Sequence, residues 1–303
     1  MLPTNPLKRA AQALRRAHKR LAPASTNDVE WRHDSVVAHF AELKLHIDGI
    51  MKVARAANQS PAAQQEILEA LRLLEPHRAI GFDKVRVGSS RDGGYVQIDD
   101  PAGIVHALSF GISDNDSWDL AMAGKGVPVD QFDFSVDAAP STHPLLKFHK
   151  LRISAERGEG LATLPDLVAL HSRGPGPDII LKMDIEGAEW DVLAECDAAS
   201  LGRIAQILCE FHDLSRLVEP EFRGRVVKGL RNLAAQFAAV HVHGNNCADM
   251  YVVENVPIPD VIEMAFVNRA RYAVEPSFEI FPTPLDTPNV IERPDIVLGA
   301  FRF

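Results

Sequence analysis

The stretch LKMDIEGAEWDVL, residues 181–193, decides the fold. It begins as an unbroken apolar run, which is typical of a strand buried on both faces of a sheet, and it continues with helix-forming residues. Four ionisable side chains stand where the strand gives way to the helix: Lys182, Asp184, Glu186 and Glu189. Because unpaired buried charges are costly, we expect these groups to lie at the mouth of a cleft or against a ligand.

Strands and helices alternate on both sides of this stretch. A Gly-rich turn within residues 84–99 predicts a hairpin. Further strands are predicted at 104–112, 127–137, 147–154, 178–184, 203–211, 238–244, 250–255 and 261–268. Helices are predicted at 117–123, at 161–171, after residue 184 and within 219–239. The pattern predicts an α/β fold with a doubly wound, mostly parallel sheet, and the closely spaced last strands predict an antiparallel edge strand.

The N-terminal part of the chain follows a different pattern. Residues 1–24 contain six basic residues and no acid, so they are interpreted either as a peripheral membrane contact or as a solvated leader. A heptad-like stripe from Val36 to Ala54 predicts a helix that packs on a partner, which makes a homodimer a reasonable expectation. A second helix is expected from Pro61 to Leu74. We therefore predict a helical segment at 1–76 and a main domain at 77–303 that ends in a Pro-rich arm.

Composition limits the classes of function. The 303 residues carry a net charge of −9; without the six leader cations, 26 basic residues face 41 acidic ones. Such an acidic body disfavours nucleic-acid binding, because it repels phosphates. The three cysteines show no zinc or disulfide spacing, and no apolar run is long enough to span a bilayer. A cytoplasmic location, with the inner membrane face as an option, is expected.

Polar residues follow the predicted strands at the end where such sheets bind ligands. The first turn, SFGISDND (109–116), has neither the GxGxxG nor the GxxxxGK[ST] pattern, so a phosphate-binding loop is not indicated. Asp133, after the second strand, suits the two hydroxyls of a ribose. A nucleoside ligand without phosphate, such as S-adenosylmethionine, fits both observations.

LKMDIEGAEWDVL resembles the signature of the FkbM-type S-adenosylmethionine-dependent methyltransferase family, which runs close to LK(I/M)D(I/V)EGAE. Supporting stretches follow in the family's order between about residues 84 and 272: RVGSSRDGGYV, SFGISDNDSWD, QFDFSVD, CEFHDL, VHVHGNN and IPDVIEMAFVNR. Residues 1–76 and the Pro-rich tail lie outside the resemblance. It implies a Rossmann-like class I methyltransferase fold and methyl transfer, usually to a hydroxyl oxygen of a carbohydrate, glycolipid or natural product.

The resemblance also implies a set of cofactor contacts, although the first turn lacks the usual run of glycines. Asp133 would hold the ribose hydroxyls, and Ser154 would lie near the adenine. Gly111 and Ser113 would line the methionine part, with the DGGY turn over its amino-acid end. The implied cofactor-binding residues are Gly93, Gly94, Gly111, Ser113, Asp133, Ser154 and Asp184.

The expected chemistry needs a base for the acceptor hydroxyl and negative charge beside the sulfonium. Asp184 and Glu186 are predicted to supply the charge. His212 is the predicted base because it follows the fifth strand and has an ordinary pKa near neutrality; His243 is the second candidate. Either histidine could instead be structural.

Two questions stay open in the sequence. A divalent metal such as Mg²⁺ or Mn²⁺ could be held by Asp184, Glu210, His212 and Asn245, but no spacing is diagnostic. The chain could also be a catalytically silent methyltransferase-fold scaffold that assembles through its N-terminal helices. A nicotinamide dehydrogenase is disfavoured because the dinucleotide loop is missing.

Overall fold

The computed structural model describes residues 60–303. The predicted basic leader (1–24) and the heptad stripe lie outside the described residues, so their helices, membrane contact and role in dimerisation stay predictions. No helix within 60–303 combines the length and apolar character needed to cross a membrane.

Strands and helices alternate through this part of the chain. The helices are α1 (Pro61–Arg72), α2 (Ser117–Gly124), α3 (Leu164–His171), α4 (Glu189–Glu195), α5 (Ala198–Leu201) and α6 (Pro220–Ala234), with a 3₁₀ turn at Leu214–Val218. The strands are β1 (His77–Ala79), β2 (Lys84–Gly88), β3 (Gly94–Ile98), β4 (His106–Phe110), β5 (Val129–Phe132), β6 (Leu146–His149), β7 (Arg152–Ile153), β8 (Leu161–Ala162), β9 (Ile179–Met183), β10 (Ile204–Phe211), β11 (Phe237–Gly244), β12 (Met250–Val253), β13 (Val256–Pro259), β14 (Ile262–Asn268) and β15 (Val274–Pro276).

Seven strands form the central sheet in the order β11-β14-β10-β9-β4-β5-β6. Neighbours from β10 to β6 are parallel. The chain starts at β4, adds β5 and β6 on one side, and then crosses back to add β9 and β10 on the other. The strand order therefore reverses between β4 and β9, whose carboxyl ends open a crevice. The predicted α/β class with a mostly parallel sheet is confirmed.

The antiparallel pairing predicted at the sheet edge is confirmed. β11 forms the edge and pairs antiparallel with β14, which is also antiparallel to β10 and lies between the two. All residues of β11 and of β14 are buried, so burial alone does not decide which of them forms the edge.

Two other predicted strands also leave the central sheet. The predicted strand at 147–154 divides into β6, which belongs to the sheet, and β7, which pairs with β8 outside it. The predicted strand at 250–255 corresponds to β12, which pairs only with β13 in a separate hairpin. The hairpin predicted at 84–99 is confirmed by the pairing of β2 with β3.

The two faces of the sheet are covered differently. One face packs against α3, α4 and α6 through a large cluster that includes Leu108, Leu181, Trp190 and Phe211. The other face packs against α2 and the β2–β3 hairpin through a smaller cluster that includes Tyr95 and Trp118. This second, thinner layer places the hairpin turn beside the crevice.

Helix α1 precedes the predicted start of the main domain at residue 77, yet it shares the core of that domain. Its N-cap is Ser60, whose hydroxyl accepts a hydrogen bond from the backbone N–H of Ala63 over 3.3 Å, and a proline follows at the first helical position. Ile67 and Leu71 are buried in the larger cluster. The burial of these side chains joins the helix to the sheet domain.

The Pro-rich arm lies over the body, as the sequence predicts. Phe281 is fully buried, and the carboxylate of Asp286 lies 2.7 Å from Nε2 of His241 on β11. Asn246 donates a hydrogen bond to the backbone carbonyl of Val290 over 2.9 Å. These contacts cover the edge strand β11, which otherwise would expose unpaired backbone groups.

Candidate functional site

The crevice between β4 and β9 leads into a cleft of about 330 Å³ at the carboxyl ends of the parallel strands. The loops after β4, β5 and β9 form its walls, and the β2–β3 turn adds one side. Lining residues from these loops include Gly93, Gly111, Ser113, Asp133, Asp184 and Glu186. Six of the residues predicted from the sequence are thus brought together.

Gly111 fixes the loop after β4. Its φ is +73°, and an added Cβ would lie 1.7 Å from the backbone oxygen of Asp184. Only glycine fits so close an approach. The backbone of the first turn is therefore held against the loop after β9, and it faces the cleft without a side chain.

Asp133 holds the loop after β4 through hydrogen bonds to its backbone. Its Oδ2 accepts hydrogen bonds from the backbone N–H groups of Ile112 (3.0 Å) and Ser113 (2.9 Å). Its Oδ1 accepts from the backbone N–H (2.7 Å) and the hydroxyl (2.6 Å) of Ser135. Burial raises the pKa of Asp133, but the donated hydrogen bonds, led by the Ser135 hydroxyl, outweigh it and leave the pKa below its ordinary value.

Asp184 lies between a phenol and an ammonium group. The Tyr95 hydroxyl donates to Oδ2 of Asp184 over 3.2 Å, and Nζ of Lys182 lies 4.0 Å from the same oxygen. Lys182 is buried and also donates to the carbonyl of Gly111. Burial, followed by the charge of Asp184, raises the pKa of Tyr95 well above its ordinary value, so the phenol stays a donor. Asp184 itself is a quarter exposed and faces the cleft.

His212 is surrounded by carboxylates. Its Nδ1 lies 3.2 Å from the fully buried Glu189, which also accepts from the backbone N–H groups of Ile185 and Gly187. Its Nε2 faces three more carboxylates, those of Asp184 (3.9 Å), Glu186 (3.6 Å) and Glu210 (3.7 Å). The side chain that holds His212 is therefore Glu189, a residue that the sequence assigned to a helix start.

The charges around His212 decide its protonation. Burial lowers the pKa of the imidazole, but the hydrogen bond to Glu189 and the charges of Glu189, Glu210 and Asp184 outweigh burial and raise the pKa to about 10. In the free protein the imidazole is therefore protonated at neutral pH. It can accept a proton only after some of the surrounding negative charge is compensated.

A second group of carboxylates adjoins the group around His212. Oxygens of Asp92, Glu210 and Glu263 approach within 4.8 Å of one another, as do ligand atoms of Asp184, Glu186 and His212. Burial, followed by the charges of Asp184 and Glu263, raises the pKa of Glu210 well above its ordinary value. Asn245 donates a hydrogen bond to Glu210 over 2.7 Å, Glu210 lies beside His212, and His212 lies beside Asp184. These are the four residues that the sequence offers as metal ligands, and in the structure each contacts the next. Oxygen-rich sets of this kind suit Mg²⁺ or Mn²⁺.

Six predicted site residues lie outside the cleft lining: His212, Glu210 and Asn245, described above, and Gly94, Ser154 and His243. An added Cβ at Gly94 would lie 1.8 Å from the carbonyl of Ser89, so this glycine closes the hairpin turn. The Ser154 hydroxyl accepts from the backbone N–H of Glu156 over 3.1 Å in the loop after β7. His243 is 1% exposed and lies between Glu263 and Asp295, and although burial lowers its pKa, the bond to Glu263 raises it to about 9.

Three lining or supporting residues are missing from the sequence prediction: Phe134, Arg152 and Tyr95. Phe134 forms a wall of the cleft with 56% of its surface exposed, and the Arg152 guanidinium lies 5.2 Å from its ring centre. Tyr95 and Lys182 support Asp184. Phe134 could have been found, because an aromatic residue directly follows the ribose-binding candidate; Tyr95 carries no signal other than its place after the double glycine.

Comparison with known proteins leaves the family open. No protein-family model matches the chain, and no curated protein matches it. Among solved structures, a candidate hemolysin from Streptococcus thermophilus superimposes with a TM-score of 0.30 and 9% identity, covering 58% of this chain and 72% of that one. A protein studied in the conversion of a disulfide bond into a thioacetal during echinomycin biosynthesis gives 0.29 and 15%, covering 55% and 78%. WbdD gives 0.31 and 11%, covering 59% of this chain and 35% of its own. Likeness at this level supports no inference about activity.

Proposed function

We propose that the chain is an S-adenosylmethionine-dependent O-methyltransferase of the class I fold that acts on a hydroxyl of a carbohydrate, glycolipid or natural product. The observation that carries the proposal is the joint position of Gly111, Asp133 and Asp184 around one cleft where the strand order reverses. The FkbM-type signature at residues 181–193 supports the same assignment.

The adenosine end of the cofactor would lie against Asp133 and Phe134. A buried carboxylate at the end of β5 can accept a hydrogen bond from a ribose hydroxyl. Each oxygen of Asp133 already accepts two hydrogen bonds, three from backbone N–H groups and one from the Ser135 hydroxyl. The hydroxyl of Ser135 is the donor that can rotate away, so a ribose hydroxyl would replace it. The exposed ring of Phe134 offers a face for the adenine.

The methionine end would lie along the bare backbone of the turns. Gly111 leaves its loop without a side chain, and an added Cβ at Gly93 would meet the Asn115 amide at 2.3 Å. Both glycines are therefore required by close contacts within the protein, and both turns line the cleft. The carboxylate of Asp184 at this end suits a cationic ligand, because opposite charges attract strongly where water is partly excluded.

A residue of the chain would remove the proton from the acceptor hydroxyl. When bound, the cofactor supplies an electrophilic methyl group on a positively charged sulfur. His212, as the base, must first lose the proton that its carboxylate neighbours stabilise. A cation that binds against Asp184 competes for the same negative charge, and this lowers the pKa of His212. Cofactor binding would thus lower the pKa of His212 and allow it to act as the base.

The acceptor class follows from the polar mouth of the cleft. The exposed carboxylate of Glu186, close to His212, can accept hydrogen bonds from the hydroxyls of a sugar. Transfer does not require a metal in this proposal. Assays with Mg²⁺ and with a chelator decide whether Asp184, Glu210, His212 and Asn245 bind one.

The test starts with the purified chain. Native mass spectrometry should show S-adenosylhomocysteine or added S-adenosylmethionine bound one to one, and a labelled methyl group should pass to hydroxyl-bearing glycans. Binding without transfer to any acceptor would favour the catalytically silent scaffold. Failure to bind either cofactor form would contradict the proposal.

A further inference from the structure

Three histidines surround one buried aspartate at a distance from the cleft. His106 begins β4, Asp130 lies within β5, His149 ends β6, and His171 ends α3. β4 carries His106 at its first residue and leads to Gly111 at the other end, about 15 Å away for an extended strand of this length. The four residues, here named the histidine cluster, do not contribute to the cleft lining.

Three donor atoms of the histidine cluster are close enough to share one ion. Nε2 of His106 lies 3.4 Å from Oδ1 of Asp130, and Nε2 of His171 lies 3.3 Å from Oδ2. Ligand atoms of these three residues lie within 4.8 Å of one another. His149 is not part of that group, and its Nε2 lies 3.0 Å from Oδ2 of Asp130.

Two of the imidazole nitrogens lack a hydrogen-bond partner. Within residues 60–303, Nε2 of His106 and Nε2 of His171 are both buried without one, because their geometry toward Asp130 does not meet the requirement for a hydrogen bond. His171 is nine-tenths buried. Leaving such nitrogens buried and unpaired destabilises the folded protein. One ion bound between them and Asp130 would satisfy both.

The cluster is rich in nitrogen, which narrows the choice of ion. Two imidazoles and one carboxylate suit a borderline metal such as Zn²⁺, whereas Mg²⁺ and Ca²⁺ prefer oxygen ligands. Three protein ligands leave the fourth position of a tetrahedral ion to water.

The orientation of two rings must change when a metal binds. His106 and His171 stack with ring centres 3.8 Å apart and planes 18° apart. A metal can lie in both ring planes only when one ring turns. Rotation of an imidazole about its last side-chain bond is soft, so this adjustment is small.

We propose that His106, Asp130 and His171 form a site for a zinc-like divalent ion that ties the end of α3 to strands β4 and β5, with His149 of β6 in hydrogen-bond contact with the Asp130 carboxylate. β5 leads directly into Asp133, so the site would hold the ribose-binding end of the sheet in place. The site stands on its own geometry and does not depend on methyl transfer.

Co²⁺ is the probe that reports tetrahedral coordination directly. The full-length chain, stripped with a chelator and titrated with Co²⁺, should bind one ion with the strong visible bands of a tetrahedral complex. His106→Gln and His171→Gln should each lose the bands. The matched control is His212→Gln, which alters the carboxylate-rich cleft and should keep them. Bands that persist in the cluster variants, or that vanish only in His212→Gln, would overturn the proposal.

A second measurement requires no variant. X-ray absorption of the wild-type chain loaded with one equivalent of Zn²⁺ should show about two imidazole ligands, since the cleft group of Asp184, Glu186 and His212 contains a single histidine. The melting temperature should rise with Zn²⁺ and stay unchanged with Mg²⁺. An oxygen-dominated shell, or the absence of any Zn²⁺ binding, would refute the site.

Discussion

Gly111 and Asp184 are in contact across the carboxyl ends of β4 and β9, so close that a Cβ on Gly111 would lie 1.7 Å from the backbone oxygen of Asp184. This contact joins the loop that would face the cofactor to the loop that carries the acids. Asp184 donates its own backbone N–H to the carbonyl of Phe110 over 3.0 Å, which holds the two loops in register. The geometry of the cleft therefore depends on a missing side chain.

Gly111→Ala should damage both folding and binding. The new methyl group forces the two loops apart, and the φ of +73° is unfavourable for alanine, so we expect a loss of several kcal/mol in the free energy of unfolding, about 2–4. Urea unfolding measures the change. Gly124→Ala, at a helical position with free space around it, is the matched control and should be neutral or slightly stabilising. Equal stability of the two variants would contradict the steric account.

Tyr95→Phe should weaken the support of Asp184. The change removes the 3.2 Å hydrogen bond from a buried hydroxyl to a carboxylate, which should lower the free energy of unfolding by about 1.5–3 kcal/mol. Under the proposed function, turnover should fall more than cofactor affinity, because Asp184 loses its orientation. Tyr251→Phe, in the separate β12–β13 hairpin, is the control. A fully stable and fully active Tyr95→Phe would remove the phenol from this role.

His212 should titrate far above the ordinary range. Its pKa in the folded protein is raised to about 10 from an ordinary 6.5. The stabilisation from its ion pairs is therefore complete below about pH 6.5 and is lost as pH rises through about 10. NMR of labelled imidazoles gives the pKa, and the stability gap between wild type and His212→Gln should narrow over the same window. A titration near 6.5 would show that the carboxylates do not act on this histidine as described.

The pKa of His212 should differ between the complexes with the two forms of the proposed cofactor. A sulfonium near Asp184 adds positive charge, whereas the thioether of S-adenosylhomocysteine adds none. We expect a lower His212 pKa with S-adenosylmethionine bound than with S-adenosylhomocysteine bound. If His212 is the base, kcat should rise with pH to that lowered value and level off, and His212→Gln should bind cofactor but lose turnover. A pH-independent kcat would argue for another base.

Residue patterns predict the strands and the position of the cleft, but not the pairing of every strand. The apolar runs of β9 and β10 require burial on both faces, and parallel strands bring Asp133 and Asp184 to one edge of the sheet. The same apolar signal in β14 shows that the strand is buried without showing which strands flank it. Its place between β10 and β11 depends on the whole sheet, so the apolar pattern alone does not determine it.

Contacts between residues that are far apart in the sequence could not be predicted either. His106, Asp130, His149 and His171 have no motif-like spacing and meet only because β4, β5, β6 and the end of α3 are neighbours. Glu189, assigned to a helix start, turns out to hold His212 because the loop after β10 folds back onto α4. The raised pKa of His212 follows from three carboxylates, those of Glu189, Glu210 and Asp184, which three different segments supply.

The central claim is that a nucleoside sulfonium binds in the cleft with its ribose on Asp133, and isothermal calorimetry with S-adenosylhomocysteine tests it most directly. Wild type should bind one molecule per chain, and Asp133→Ala should lose at least a hundredfold in affinity. Ser135→Ala should bind as well as wild type or more tightly, because the ribose no longer has to displace that hydroxyl. Asp137→Ala, which changes an exposed acid after the same strand, should match wild type. No heat of binding in the wild type, or undiminished affinity in a folded Asp133→Ala, would contradict the account.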